Sequence, residues 1–380
     1  MITLSPKEKP MKIRTLSVLL AGSCLALACS TIHAQDVAEG QWINLFDGES
    51  LYGWTPVGDG NWEVSDGVLS LTQGNSGFLA TLAQFSDFDL SVTMRVTGMG
   101  TAGIAFRAPL SGYAQAQGGA AVNLVAGEDN AAFSTVNIRA LGKEVTAQVN
   151  DIDVPTAVSN TKGHIAIQFH KYDRFKKGPK LEIKEVKLRP LAMTSLFNGE
   201  NLDGWNIIPD RKSVFSVNDG ALNIKDGNGQ IETTGVYRNF VLQLDIYSNG
   251  DHLNSGVFFR TPPGVFWVGY EAQIRNQWTR DDRSKPVDFG TGGLYGLKPA
   301  RKVVSNDREW FTMTVACCDN HYAVWVNGYQ TADFTDTRPV SEDANNGKNG
   351  YVSTAGTINL QGHDPTTDLS FKNIHIQPLD

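Results

Sequence analysis

Helical periodicity is missing from this chain. No segment of its 380 residues repeats apolar positions at three- and four-residue spacing for the length of a helix. Charge is sparse, at 19% of residues, and no basic cluster stands out, which argues against nucleic acid or an anionic membrane as partner. The apolar run from Leu16 to Cys29 is too short to span a bilayer, so no transmembrane segment is expected. Cysteine is scarce, with four residues. Two of them, Cys317 and Cys318, are neighbours on a predicted strand and point to opposite faces, so a bond between them would be strained. They also lack zinc-site spacing and are read as small strand residues. Glycine, by contrast, is plentiful at 38 residues and suits a turn-rich β protein.

The N-terminus has the pattern of an export signal. Lys12 and Arg14 precede the apolar run, and Ile32-His33-Ala34 offers a small-residue cleavage site, so residues 1–34 are expected to be removed. Met11 is an alternative start, and Cys29 in Leu27-Ala28-Cys29 is a weaker alternative as a lipid-anchored residue. The mature chain, with 29 basic and 39 acidic residues, carries a net charge of −10 and is expected to be periplasmic or secreted.

The main organising signal is internal duplication. Leu45-Phe46-Asp47-Gly48…Leu51-Tyr52-Gly53-Trp54 returns as Leu196-Phe197-Asn198-Gly199…Leu202-Asp203-Gly204-Trp205. The Asp66-Gly67 and Asp219-Gly220 pairs, each between strand-like halves, read as hairpin turns. Ala102-Gly103-Ile104-Ala105-Phe106-Arg107 matches Ser255-Gly256-Val257-Phe258-Phe259-Arg260, and the segment ending at His170 matches that ending at His363. In both closing strands the apolar period slips by one residue at the same place, as at a β-bulge. These matches predict an all-β chain of two tandem antiparallel β-sandwich domains, 40–191 and 193–380, whose short joint implies a packed pair. The second copy has about 40 more residues between the matched arginine and histidine, part of them around Asn276 to Arg301. Such loops on a rigid sandwich commonly carry function. Aligning Gly269–Gln273 with Gly112–Ala116 leaves the first copy without a carboxylate, so the second is the candidate active unit.

Within that unit, Asn254 to Arg260 reads as a buried strand, Pro262-Pro263-Gly264 as a turn, and Gly269 to Ile274 as a second strand. Alternation puts Tyr270, Ala272 and Ile274 on one face and Glu271 and Gln273 on the other. If the strands pair, Arg260 and Glu271 share a concave face; the bland reading is a surface ion pair. His252 beside Asp251 reads as solvated loop, although with His363 and Glu271 it would complete a divalent-metal site. Trp267, Trp278, Trp310 and Trp325 are either core residues or sugar platforms, and Trp325 belongs in the core or on the concave sheet.

The Leu-Phe-(Asp/Asn)-Gly-x-x-Leu-x-Gly-Trp opening, Asn254–Arg260, Gly269-Tyr270-Glu271-Ala272-Gln273-Ile274, Thr291–Gly296 and Ile358-Asn359-Leu360-Gln361-Gly362-His363 together resemble the 3-keto-disaccharide hydrolase family. The resemblance implies a concanavalin A-like jelly roll and cleavage of glycosides already oxidised at sugar carbon 3. Two positions depart from the family pattern: Arg275-Asn276 stands where an acidic residue often follows the Glu-x-Gln-Ile run, and Gly362 stands where Asp often precedes the final His. A ketone at carbon 3 acidifies the proton on carbon 2, so one base and one acid suffice for elimination. No Glu-x-Asp-x-x-Glu strand of the paired-carboxylate glucanases is present. The expected roles are Glu271 and His363 as base and acid in either order, and Arg260 polarising the keto oxygen. Gln273, Tyr295 and Gln361 would hold hydroxyls, with Trp278 as a further substrate contact. No cofactor is called for, and a divalent metal stays open. The alternatives are a lectin-like carbohydrate-binding protein of the envelope and a structural adhesion module.

Overall fold

Alternating apolar residues and tight turns build the elements of the computed structural model, which describes residues 37–111, 118–124, 132–171, 178–342 and 346–379. The export signal, Cys29 and the 112–116 alignment lie outside the described residues. Among the described residues there is no helix, and strands pair antiparallel throughout. Both Asp-Gly pairs turn hairpins with positive φ at each position (51° and 75°; 50° and 76°), the geometry that matches strand twist.

The first sandwich packs a larger sheet, centred on Phe88–Gly98 and Pro179–Pro190, against a smaller one. The smaller sheet runs Trp54–Gly58, Ser76–Thr81, His164–His170, Thr101–Ala108, Ala120–Leu124. The second sandwich repeats the arrangement. Phe240–Ser248 and Asp368–Pro378 centre its larger sheet, and its smaller sheet runs Trp205–Ile207, Gly229–Thr233, Thr357–Gly362, Ser255–Thr261, Tyr270–Ile274. The register slips in both closing strands, between Ile183 and Glu185 and between Lys372 and His375, where the apolar period predicted a bulge. The matched opening motifs form one device twice: Trp54 Nε1 donates to the Leu45 carbonyl at 2.6 Å and Trp205 Nε1 to the Leu196 carbonyl at 2.7 Å.

The outer face of the second sandwich's larger sheet joins the first core. Val241, Ala316, Cys318, Ala323 and Trp325 cluster with residues of the first sandwich. Trp325 therefore takes the core place of its two expected ones, in the core centred on the first sandwich. It is 1% exposed, donates to the Asn44 carbonyl at 3.1 Å and lies 6.3 Å from the Phe85 ring. Cys317 and Cys318 form no disulfide and lie on opposite faces, Cys317 in the second core and Cys318 in the first. Arg301 adds a polar clamp, reaching Asp47 at 2.7 Å and Ser50 Oγ at 3.1 Å, with its guanidinium 4.2 Å from the Tyr52 ring centroid. Val37–Ala38 pairs with Met193 and Thr194, tying residues 37–38 to the joint between the sandwiches.

Candidate active site

Strand Tyr270–Ile274 is the outer strand of the second sandwich's smaller sheet. Tyr270, Ala272 and Ile274 enter the core, so Glu271 and Gln273 lie on the opposite face, as alternation predicts. Neighbouring strands line that face with more buried polar residues. Register pairs Glu232 with Asn359, Asn359 with Phe258 and Phe258 with Glu271. The next row reads Gln230, Gln361, Gly256, Gln273. Gly256 is glycine for a visible reason: a Cβ there would stand 2.3 Å from Glu271 Oε1.

The two insertions of the second sandwich, 275–309 and 336–356, reach this face. Asp288 Oδ2 accepts from Gln273 Nε2 at 3.2 Å and from Asn254 Nδ2 at 3.0 Å. Asn254 Nδ2 lies 3.3 Å from His363 Nε2, and the Nδ1 side of that ring faces Asp364 Oδ2 at 3.0 Å. Asp364, one position beyond the histidine, thus orients the imidazole although Gly362 precedes it. Tyr295 donates its backbone N–H to the Glu271 carbonyl at 3.0 Å. Lys348 Nζ sits 4.6 Å from the Tyr295 ring centroid and 4.1 Å from that of Trp267.

Burial dominates the electrostatics. Glu271 is 5% exposed, and its carboxyl is pushed up to about 8, first by desolvation and then by Asp288, against the pull of Lys348. Burial pushes the Lys348 ammonium down, opposed by the same two carboxylates. Tyr295 is raised by burial, Asp288 and Glu271. At Asp364 burial works upward, but hydrogen bonds from Thr366 and His363 outweigh it and lower the carboxyl.

Among the described residues, four buried side-chain atoms of these strands have no protein partner: Gln230 Nε2, Asn254 Oδ1, Asn359 Nδ2 and Gln361 Oε1. Two are donors and two are acceptors. Buried polar atoms are nearly always hydrogen-bonded, and a polyhydroxylated ligand supplies both kinds of partner.

Of the residues expected from sequence, Glu271, Gln273, Gln361, Tyr295 and His363 come to this region. Arg260 does not, and the expectation for it is corrected. The register slips between Phe258 and Thr261, and Arg260 adopts φ 55°, which turns its side chain off the face into the interior at 0% exposure. Its guanidinium donates to Tyr322 Oη at 3.0 Å and to the carbonyls of Val352, Arg238 and Asp319. Arg107 repeats the device, with φ 47° and donation to Ser86 O, Gly142 O and Asp87. Facing glycines make room for both bulges: a Cβ at Gly356 or Gly163 would come within 2.4 Å of the arginine carbonyl carbon. Trp278 lies on the 278–286 hairpin, its ring covered by Arg283 at 4.2 Å. His252 turns to the Asn276 carbonyl at 2.8 Å and to Asp307. Among the described residues no three His, Cys, Asp or Glu side chains form a metal-ligand group.

Sequence reasoning missed Lys348, Asp288, Asn254, Asn359 and Gln230 as site residues. Asn254 and Asn359 stood inside quoted motifs, and their alternation with buried apolar residues was the available signal. Asp288 and Lys348 come from loops, where no periodicity assigns a direction.

Residues 41–134 and 192–377 match the family model of the 3-keto-alpha-glucoside-1,2-lyase-like domain. No curated protein matches the chain. Among solved structures, one candidate glycosyl hydrolase from Parabacteroides distasonis is 25% identical, with TM-score 0.39, covering 50% of this chain and 94% of that one. A second from the same organism is 27% identical, with TM-score 0.40, covering 49% and 99%. A Bacillus subtilis protein of unknown function with a galectin-like fold is 11% identical, with TM-score 0.31, covering 41% and 99%. No helix among the described residues is long and apolar enough to cross a membrane.

Proposed function

The chain belongs to the family of 3-keto-alpha-glucoside-1,2-lyase-like domains, and from that membership we propose that it is an exported enzyme whose second sandwich cleaves 3-keto-glycosides by elimination. A base removes the proton from carbon 2, and the C–H electron pair becomes the C2–C3 double bond of an enolate whose charge rests on the carbon 3 oxygen. The enolate then restores the ketone, its electrons form the C1–C2 double bond, and the C1–O bond breaks. The leaving oxygen takes a proton, and water adds afterwards across the double bond where the product is the hydrated sugar.

The observation that carries this reading is a buried carboxyl whose proton affinity is raised to about 8, on a face with four unpartnered polar atoms. A desolvated carboxylate of that basicity suits removal of a carbon-bound proton near neutral pH. Glu271 is therefore assigned as base. His363, held by Asp364 at the rim, is the acid for the leaving oxygen. Lys348 replaces Arg260 as the cation for the enolate, since it is the cation that acts on Glu271 and Asp288. Gln273, Gln361, Asn359 and Gln230 hold hydroxyls.

Incubation of the mature protein with a 3-keto-glucoside should release aglycone, and Glu271→Gln and His363→Ala should each lower kcat by about 10²–10⁴. Full activity in either variant overturns the assignment. Sugar binding without turnover by the wild type would replace this reading with the lectin-like one.

A further inference from the structure

The first sandwich is missing one row of the site and retains part of the next. Strand pairing sets the counterpart of Tyr270–Ile274 at Ala120–Leu124, because Gly103 faces Asn123 as Gly256 faces Gln273, and Ala105 faces Ala121 as Phe258 faces Glu271. The row Glu232, Asn359, Phe258, Glu271 becomes Ala80, Ala166, Ala105, Ala121. Ala80, Ala105 and Ala166 are buried as a small apolar cluster that Phe78 and Ala121 pack against. The carboxylate is gone, and so are its polar neighbours.

The adjoining row survives in part. Gln230, Gln361, Gly256, Gln273 have the counterparts Phe78, Gln168, Gly103, Asn123, and beyond them Thr101 and His170 pair where Asn254 and His363 meet. This retained part lines a cavity of about 480 Å³, within the range of small-molecule sites. Phe78 and Phe169 give it apolar wall, and Thr101, Asn123, Gln168 and His170 give it polar groups. Gln168 Nε2 donates to Asn123 Oδ1 at 2.9 Å, which fixes the two amides side by side. The Gln168 carbonyl and the Asn123 amino group then offer an acceptor next to a donor, the pattern that vicinal hydroxyls satisfy. Among the described residues that line the cavity there is no Asp, Glu, Lys or Arg, so these residues offer an ionic ligand no charge partner.

We propose that this cavity is a second, non-catalytic site that binds an uncharged sugar unit. The inference rests on the functional reading above for the class of ligand, but not for any turnover. An apolar wall beside paired amides recognises a pyranose ring and its hydroxyls whether or not carbon 3 is oxidised. The first sandwich would thereby hold unoxidised parts of a glycan or glycoside near the catalytic sandwich of the same chain.

The test is calorimetric titration of the mature full-length protein with unoxidised maltose, cellobiose and trehalose, in parallel with turnover of a soluble 3-keto-glucoside. At least one disaccharide should bind with a millimolar or tighter constant. The double variant Gln168→Leu/Asn123→Leu should weaken that binding at least about tenfold, a loss of about 1.4 kcal/mol. Thr101→Trp, which fills the cavity and keeps both amides, should do the same. Thermal melting should stay as in the wild type, and so should turnover. No binding of any of the three sugars overturns the proposal, as do isotherms of the variants that superimpose on the wild type. Wild-type binding that disappears in these variants supports the site even if no 3-keto-glucoside is cleaved, a result that sinks the catalytic reading alone.

Discussion

Replacing Glu271 with glutamine should stabilise the protein while removing its turnover, and the gain should depend on pH in a fixed direction. In the fold the carboxyl keeps its proton up to about 8, against 4.5 for the free group. Between those values the folded state holds a proton that the unfolded chain has released. Stability therefore falls as pH rises through that window, and the loss is complete above about 8. The difference corresponds to about 5 kcal/mol at about 1.4 kcal/mol per tenfold change. Glutamine keeps the shape and has no charge to bury, so the gain should be near zero at about pH 4 and approach about 5 kcal/mol at about pH 9. For a domain of this size, 1 kcal/mol moves Tm by about 2–4 °C, so the two proteins should melt about 10 °C or more apart at the alkaline end. Thermal melting of both at acid, neutral and alkaline pH measures this directly. A difference that stays flat with pH, or a glutamine variant that melts lower at alkaline pH, would refute the claim that burial of the carboxyl sets its proton affinity.

With Glu271 as base, kcat/KM should climb with pH through an inflection near 8 in the free enzyme; a profile falling through the same value would make Glu271 the acid and exchange its role with His363. Lys348→Met should lower kcat by about 10² or more with little change in melting, because methionine can still cover the Trp267 and Tyr295 rings and what is lost is the charge. Arg260→Ala should cost about 3–5 kcal/mol in denaturant unfolding, since a buried guanidinium leaves several carbonyls without donors; lysine should restore only part, having no planar fork. Trp325→Ala should cost about 3–5 kcal/mol while leaving the kcat of the folded enzyme unchanged, because Trp325 fills the joint between the sandwiches and lies away from the site.

The fold was legible where period two and turn chemistry act locally. The Asp-Gly hairpins, the strand faces of Tyr270–Ile274 and the slip in both closing strands were all readable, because each depends on a few adjacent residues. What could not be read depends on a bulge or on distant chain. Arg260 ends a strand whose alternation assigns it to the outer face, yet one residue with positive φ reverses the direction, and nothing in the local sequence marks it. Trp325 was readable as a core residue but not as one of the first sandwich's core, because period two gives the face and says nothing of what covers it. The 112–116 alignment followed a Gly-Tyr pair, whereas hydrogen-bond register identifies Ala120–Leu124 as the counterpart strand.

The division of the site between strands and insertions follows from the same packing. In the second sandwich the larger sheet spends its outer face on the first sandwich, through Trp325, Cys318 and Ala323, which leaves the outer face of the smaller sheet for a ligand. Strands alone give that face rows of amides and two carboxyls, Glu232 and Glu271, fixed in direction by the pleat and in spacing by register. They cannot surround Glu271 with charge, because alternate residues must feed the core. Asp288 and Lys348 therefore come from the two insertions, and these are the charges that act on Glu271. The first sandwich has short connections at both places, and alanine stands where the carboxylate would be. A buried carboxyl there would bear the full desolvation cost with neither an Asp288 nor a Lys348 to tune it, so the loss of the acid and the absence of the loops are one physical fact.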